Sequence, residues 1–117
     1  MCGIGGVLNR DRDRRVTREQ LLAMGAIQDH RGPDGYDAWS LDDCGVGFTH
    51  VRLSIVDLDA DRARQPFCSA NGRFLCVCNG ELYDYRRLRA DLTSRGQRFR
   101  TKSDSELILQ ALSWPTA

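Results

Sequence analysis

Cys2 is the residue of this chain best placed for covalent chemistry. If Met1 is removed, the chain begins with a thiol and a free α-amine on one residue. Removal is expected, because the side chain at position 2 is small and Gly3 follows. A nucleophile with an ordinary pKa of ~8.5 would then sit beside a base of ~8. Activation of a nucleophile by an N-terminal amine is an established arrangement. The plainer reading is a strand residue, since free cysteine packs as a small hydrophobe.

Other polar groups fall where strands should end. Asn79-Gly80-Glu81 follows an apolar run, and an Asn amide beside a glycine N–H is a suitable donor pair for an oxyanion. The same dipeptide is also common in ordinary turns. Arg52 closes an expected hairpin and could grip a carboxylate with its two-pronged fork, or form a surface ion pair. Asp104 opens the last helix, where it would also complement the helix dipole. His30 and His50 lack metal-type spacing and read as structural or solvated. Cys76-Val77-Cys78 would put two sulfurs on one strand face, which fits core packing better than a metal. Gly3-Ile4-Gly5-Gly6 is not a phosphate loop, since no helix follows and no Lys-Ser/Thr is attached.

The elements that must hold these groups alternate between strand and helix. The apolar run Ile4 to Leu8 predicts a buried strand, and Arg10 to Arg15 a polar loop. Thr17 with Gln20 makes a capping box, with Leu21, Leu22, Met24 and Ile27 as the helix's apolar face. That helix should end before Arg31-Gly32-Pro33-Asp34-Gly35, a segment dense in turn chemistry. Asp37 to Leu41 and Val46 to Arg52 predict a hairpin, followed by a surface loop from Leu53 to Gln65. Asn71-Gly72 predicts a second hairpin, whose continuously apolar Phe74 to Cys78 reads as a central strand. Asp84 should cap a helix carrying Tyr85, Leu88 and Leu92 inward, with Gly96 at its C-terminus. Gln97 to Thr101 predicts a short strand with Phe99 inward. Ser103 and Glu106 predict a second capping box, before Leu107, Ile108, Leu109 and Leu112, and Trp114-Pro115 ends that helix.

Composition sets wider bounds. The 117 residues suit one domain, and 41% hydrophobic residues suffice for a modest core. The formal charge is +1 from 17 basic and 16 acidic residues, interleaved rather than blocked, so no nucleic-acid patch is expected. No apolar stretch approaches the ~20 residues of a membrane span, and no signal peptide is expected ahead of Cys2. Five cysteines without Cys-x-x-Cys spacing fit reduced thiols in a cytoplasm.

Six segments together resemble one family. They are Met1-Cys2-Gly3-Ile4-Gly5-Gly6, His30-Arg31-Gly32-Pro33-Asp34-Gly35, and Arg52-Leu53-Ser54-Ile55-Val56-Asp57-Leu58. Gln65-Pro66-Phe67, Cys78-Asn79-Gly80-Glu81-Leu82-Tyr83 and Thr101-Lys102-Ser103-Asp104-Ser105-Glu106 complete the set. In this order and spacing the chain resembles the glutaminase domain of a class II, N-terminal-nucleophile glutamine amidotransferase of the asparagine synthetase type.

The resemblance implies an α+β fold, the αββα sandwich of antiparallel sheets, incomplete because family domains are considerably longer. It implies that residues 1–117 are the N-terminal portion of a glutaminase domain, with Cys2 attacking the glutamine side-chain amide. Asn79 and Gly80 would hold the oxyanion, Arg52 the α-carboxylate, and Glu81 with Asp104 the α-ammonium. Backbone groups of Leu53 and Ile55 would line the pocket. The resemblance implies no metal or organic cofactor for this step, with ATP and Mg needed only by a synthetase domain that this sequence lacks. Implied partners are glutamine, a synthetase domain or subunit in cis or trans, and a second copy of the chain, with neither nucleic acid nor membrane. A non-catalytic glutamine-binding or interaction module from the same domain is the competing reading, although binding alone would not need Cys2. Either a truncated product or a minimised stand-alone protein fits the length.

Overall fold

The computed structural model describes residues 1–41, 44–53 and 64–114. The chain forms two compact units, Met1–Ser54 and Ile55–Ala117. The class is α+β, with antiparallel sheets and three α-helices among the described residues.

In the first unit, strands β1 (Gly3–Leu8), β2 (Gly35–Leu41) and β3 (Val46–Arg52) form a sheet ordered β1-β3-β2. The expected hairpin is β2–β3, running from Leu41 opposite Val46 to Gly35 opposite Arg52. β1 pairs antiparallel with β3, from Leu8 opposite Val46 to Gly3 opposite Val51. All three strands therefore reach the same open end, where Cys2 and Leu53 are the next residues along β1 and β3.

Helix α1 (Arg18–Ala26) covers one face of this sheet. Its capping box forms as expected: Gln20 N–H donates to Thr17 Oγ1 at 3.2 Å, and Thr17 N–H to Gln20 Oε1 at 3.0 Å. Leu21 is fully buried with Val16 and Ala38, and Val7, Leu22 and Met24 pack around them. Burying one such leucine contributes about 1.5–3 kcal/mol. Gly47 lets the helix approach, because a Cβ there would lie 2.8 Å from Leu21 Cδ1. Ile27, expected on this face, is 77% exposed, since it is the C-cap residue and lies beyond the turns that meet the sheet.

Burial along β1 alternates, which corrects the expected fully buried strand. Ile4 and Leu8 are 47% and 67% exposed on the face away from α1. On that same face Trp39 and Phe48 stack with ring centroids 6.2 Å apart.

In the second unit, β4 (Phe67–Cys68) and β5 (Leu75–Cys76) form a two-stranded hairpin closed around Asn71-Gly72. The central strand expected from Phe74 to Cys78 is therefore only two paired residues among those described, and Phe74 is 40% exposed. Helix α2 (Tyr85–Ser94) buries Leu92. It ends as a Schellman turn, with Gln97 N–H on Leu92 O at 2.9 Å and Gly96 N–H on Thr93 O at 3.0 Å. Asp84 stands at the N-cap position but does not cap, since its carboxylate pairs with Arg87 instead. Helix α3 (Asp104–Ser113) packs on α2 and on the hairpin. It buries Leu107 and Leu109, and Phe67 of β4 is buried as well, whereas Leu112 is 69% exposed.

Residues Gln97 to Thr101 form no strand. The cause is Glu106, which is 1% exposed. Its carboxylate accepts from Arg100 N–H at 2.9 Å, Thr101 N–H at 2.7 Å and Thr101 Oγ1 at 2.6 Å. These bonds take the N–H groups that a strand would offer and direct the Glu106 side chain away from a capping box. Ser103 caps α3 through Ser105 N–H at 3.2 Å. Arg89 completes the loop, donating to Thr101 O and Ser103 O, both at 2.8 Å. Its guanidinium lies 4.3 Å from the Phe99 ring centroid.

Candidate active site

Cys2 lies half-buried at the open end of the first sheet. The backbone of Leu53 holds its sulfur from both sides of the residue: Leu53 N–H donates to Sγ at 3.3 Å, and Sγ–H faces Leu53 O at 3.5 Å. Its carbonyl accepts from Arg31 Nε at 3.1 Å. Both the sulfur and the main chain of Cys2 are thus fixed by residues far along the sequence.

The segment Arg31 to Gly35 builds this corner. Asp34 N–H donates to Arg52 O at 2.9 Å, and Pro33 makes a single bridge to Arg52 beyond the strands. Gly32 permits the crossing, because a Cβ there would lie 2.6 Å from the Arg52 backbone. Arg52 is buried at the end of β3, with its stem running beside Gly35. Met1 precedes Cys2 and is 73% exposed, so it is accessible to an aminopeptidase. While Met1 is present, the Cys2 nitrogen belongs to a peptide bond and cannot serve as a base.

In the second unit Asn79, Gly80 and Glu81 are all exposed, three residues beyond the end of β5. Asp104, buried in the first turn of α3, accepts from Leu82 N–H through Oδ2 at 2.8 Å. This bond ties the Asn79–Leu82 segment to the helix. Of the candidates, Cys2, Arg52 and Leu53 meet in the first unit. Asn79, Gly80, Glu81 and Asp104 come together in the second. Ile55 lies outside the described residues.

Arg31 was not singled out from sequence, where it reads as part of a turn. The available signal was an arginine directly ahead of Gly-Pro-Asp-Gly, a segment rigid enough to aim it. The Cys76 thiol is pushed up by burial, with a smaller push from Cys78. None of the five cysteines is joined in a disulfide. Among the described residues no group of three or more His, Cys, Asp or Glu could hold a metal, and no helix is long and apolar enough to cross a membrane.

The first unit thus fixes the Cys2 thiol through backbone, and the second ties the Asn79–Leu82 segment to the start of α3. The chain belongs to the glutamine amidotransferase domain family, whose model matches residues 1–114. Among its curated relatives, amidase chry2 of Gibberella zeae is 39% identical over 93% of this chain. The glutamine-hydrolyzing asparagine synthetase 2 of Bacillus subtilis is 38% identical, and asparagine synthetase B of Escherichia coli 37%, each again over 93% of this chain. The chain spans only 17%, 14% and 19% of the length of these three relatives, respectively.

Proposed function

We propose that this chain carries out glutamine hydrolysis, with Cys2 as nucleophile once Met1 is removed. The observation that carries the reading is the hold of Leu53 and Arg31 on Cys2, which fixes a thiol directly beside the future N-terminus. Sγ attacks the side-chain amide carbon of glutamine, and the freed α-amine takes the thiol proton. The same amine then gives a proton to the departing nitrogen, so the C–N bond breaks and ammonia leaves a thioester. Water adds to the thioester carbon, the C–S bond breaks, and glutamate departs as the thiol regains its proton.

In this reading Asn79 and the Gly80 N–H stabilise the oxyanion formed at each addition. Arg52 binds the α-carboxylate, Glu81 and Asp104 bind the α-ammonium, and Leu53 and Ile55 line the pocket through their backbones. An amino-acid zwitterion requires such a pairing of cation and anion. Residues 1–117 then form the N-terminal portion of a glutaminase domain of the αββα N-terminal-nucleophile type, which the antiparallel sheets with their helices support. Ammonia passes to an ATP- and Mg-using synthetase domain or subunit, in cis or trans. The names of the Bacillus subtilis and Escherichia coli relatives support that assignment, and free thiols fit a cytoplasmic protein.

Two substitutions test the assignments against one another. Asn79→Ala should lower kcat by roughly 10²–10³ with KM little changed, the usual cost of one oxyanion donor. Arg52→Ala should instead raise KM, because a ground-state contact is lost. An Asn79→Ala variant that weakens binding alone removes the oxyanion role. Glutamine binding without turnover by the processed wild-type chain would favour the non-catalytic module.

A further inference from the structure

Gln65 has a buried side chain for which the reaction above has no use. It is 6% exposed, and a buried amide is costly unless hydrogen-bonded. Its Oε1 accepts from Cys78 N–H at 2.6 Å. The β4–β5 ladder pairs Phe67 with Cys76 and Cys68 with Leu75, and stops there. Gln65 therefore supplies to Cys78 the acceptor that a longer partner strand would have supplied.

The position of that bond is informative. Asn79, Gly80 and Glu81 are exposed and have little packing to hold them. On one side of them Cys78 is fastened by Gln65, and on the other Leu82 is fastened by Asp104 at 2.8 Å. The Cys78 sulfur also lies 3.8 Å from where a Gly80 Cβ would stand. A three-residue segment pinned at both flanks presents its donors in one geometry, and a misplacement of about 1 Å in such a group can cost up to 10²-fold in rate.

We infer that Gln65 is a positioning residue, acting through Cys78 to set the Asn79 amide and the Gly80 N–H. This rests on the oxyanion role proposed for those two groups. Gln65→Met keeps the length of the side chain and removes the acceptor. Its kcat for glutamate release should fall about 10-fold, within the range for a displaced rather than a deleted group, with KM within about twofold of wild type. Combined with Asn79→Ala, the loss should be smaller than the product of the two single losses, because both act on one group. Losses that multiply, or a rise in KM at unchanged kcat, overturn the inference.

Amide exchange provides a check independent of turnover. In the wild-type protein the Cys78 N–H should exchange slowly although it lies beyond the ladder, and in Gln65→Met the Asn79 and Gly80 resonances should shift. Fast exchange at Cys78 in the wild type overturns the inference even if the variant fails to fold. A wild type that neither releases glutamate nor is labelled at Cys2 by a chloromethyl ketone analogue of glutamine defeats the hydrolysis reading itself. The resonances of Asn79 and Gly80 then still decide whether Gln65 sets their position, and unmoved resonances overturn it.

Discussion

The two units hold their candidate site residues in different ways. Residues 1–54 place Cys2, Arg52 and Leu53 at the end of a regular sheet, so strand register does most of the positioning. Among the described residues of the second unit each strand has two paired residues, and side chains reaching to backbone do the work. Gln65 holds Cys78, Asp104 holds Leu82, Glu106 holds Arg100 and Thr101, and Arg89 holds Thr101 and Ser103. A ladder shares its load over many weak bonds, whereas a side-chain clamp concentrates it in one residue. The second arrangement is therefore more easily broken by single polar substitutions.

The largest effects should separate the units by the kind of residue that matters. Glu106→Ala strands three donors around a buried site, each costing about 1–3 kcal/mol, so a loss of about 3 kcal/mol or more is expected in denaturant titration. In the first unit the comparable damage should come from Leu21→Ala, at about 2–5 kcal/mol. A Glu106→Ala variant as stable as wild type would refute the clamp account of the second unit.

Helix starts offer a sharper and smaller comparison. Thr17→Ala removes one half of a formed capping box and should cost about 1 kcal/mol. Asp84→Ala removes only an exposed ion pair with Arg87, so thermal melting should register less than about 0.5 kcal/mol. Equal losses would mean that Asp84 caps α2 after all.

What could be read from sequence follows the same division. The Thr17–Gln20 box and the β2–β3 hairpin are local patterns, and both formed as expected. β1 was harder, because Gly5 and Gly6 stand where alternation would have shown one face to be exposed. In the second unit, reading Phe74 to Cys78 as a central strand mistook apolar composition for pairing. The expected strand at Gln97 to Thr101 and the Ser103–Glu106 box failed together, since Glu106 turned to its preceding loop. Residue types and motif order pointed to Cys2, Arg52, Asn79 and Asp104. Gln65 and Arg31 stood within motif segments but received no part of their own, because choosing a backbone partner 13 or 29 residues away is a property of the fold.

The smallest effect concerns reactivity. Burial favours the neutral thiol at Cys76, so its alkylation should lag behind the exposed Cys68 at mildly alkaline pH and catch up only as pH rises further. Peptide mass mapping of a timed iodoacetamide reaction measures this directly. Faster labelling at Cys76 than at Cys68 would contradict the partial burial of the Cys76 thiol.

The most direct test of the account is glutamate release from glutamine by chain from which Met1 has been removed, measured beside Cys2→Ala and beside chain that retains Met1. The account predicts turnover in the processed protein alone, with glutamine still bound by Cys2→Ala. Hydrolysis that persists without the Cys2 thiol, or with its nitrogen still in a peptide bond, would contradict it.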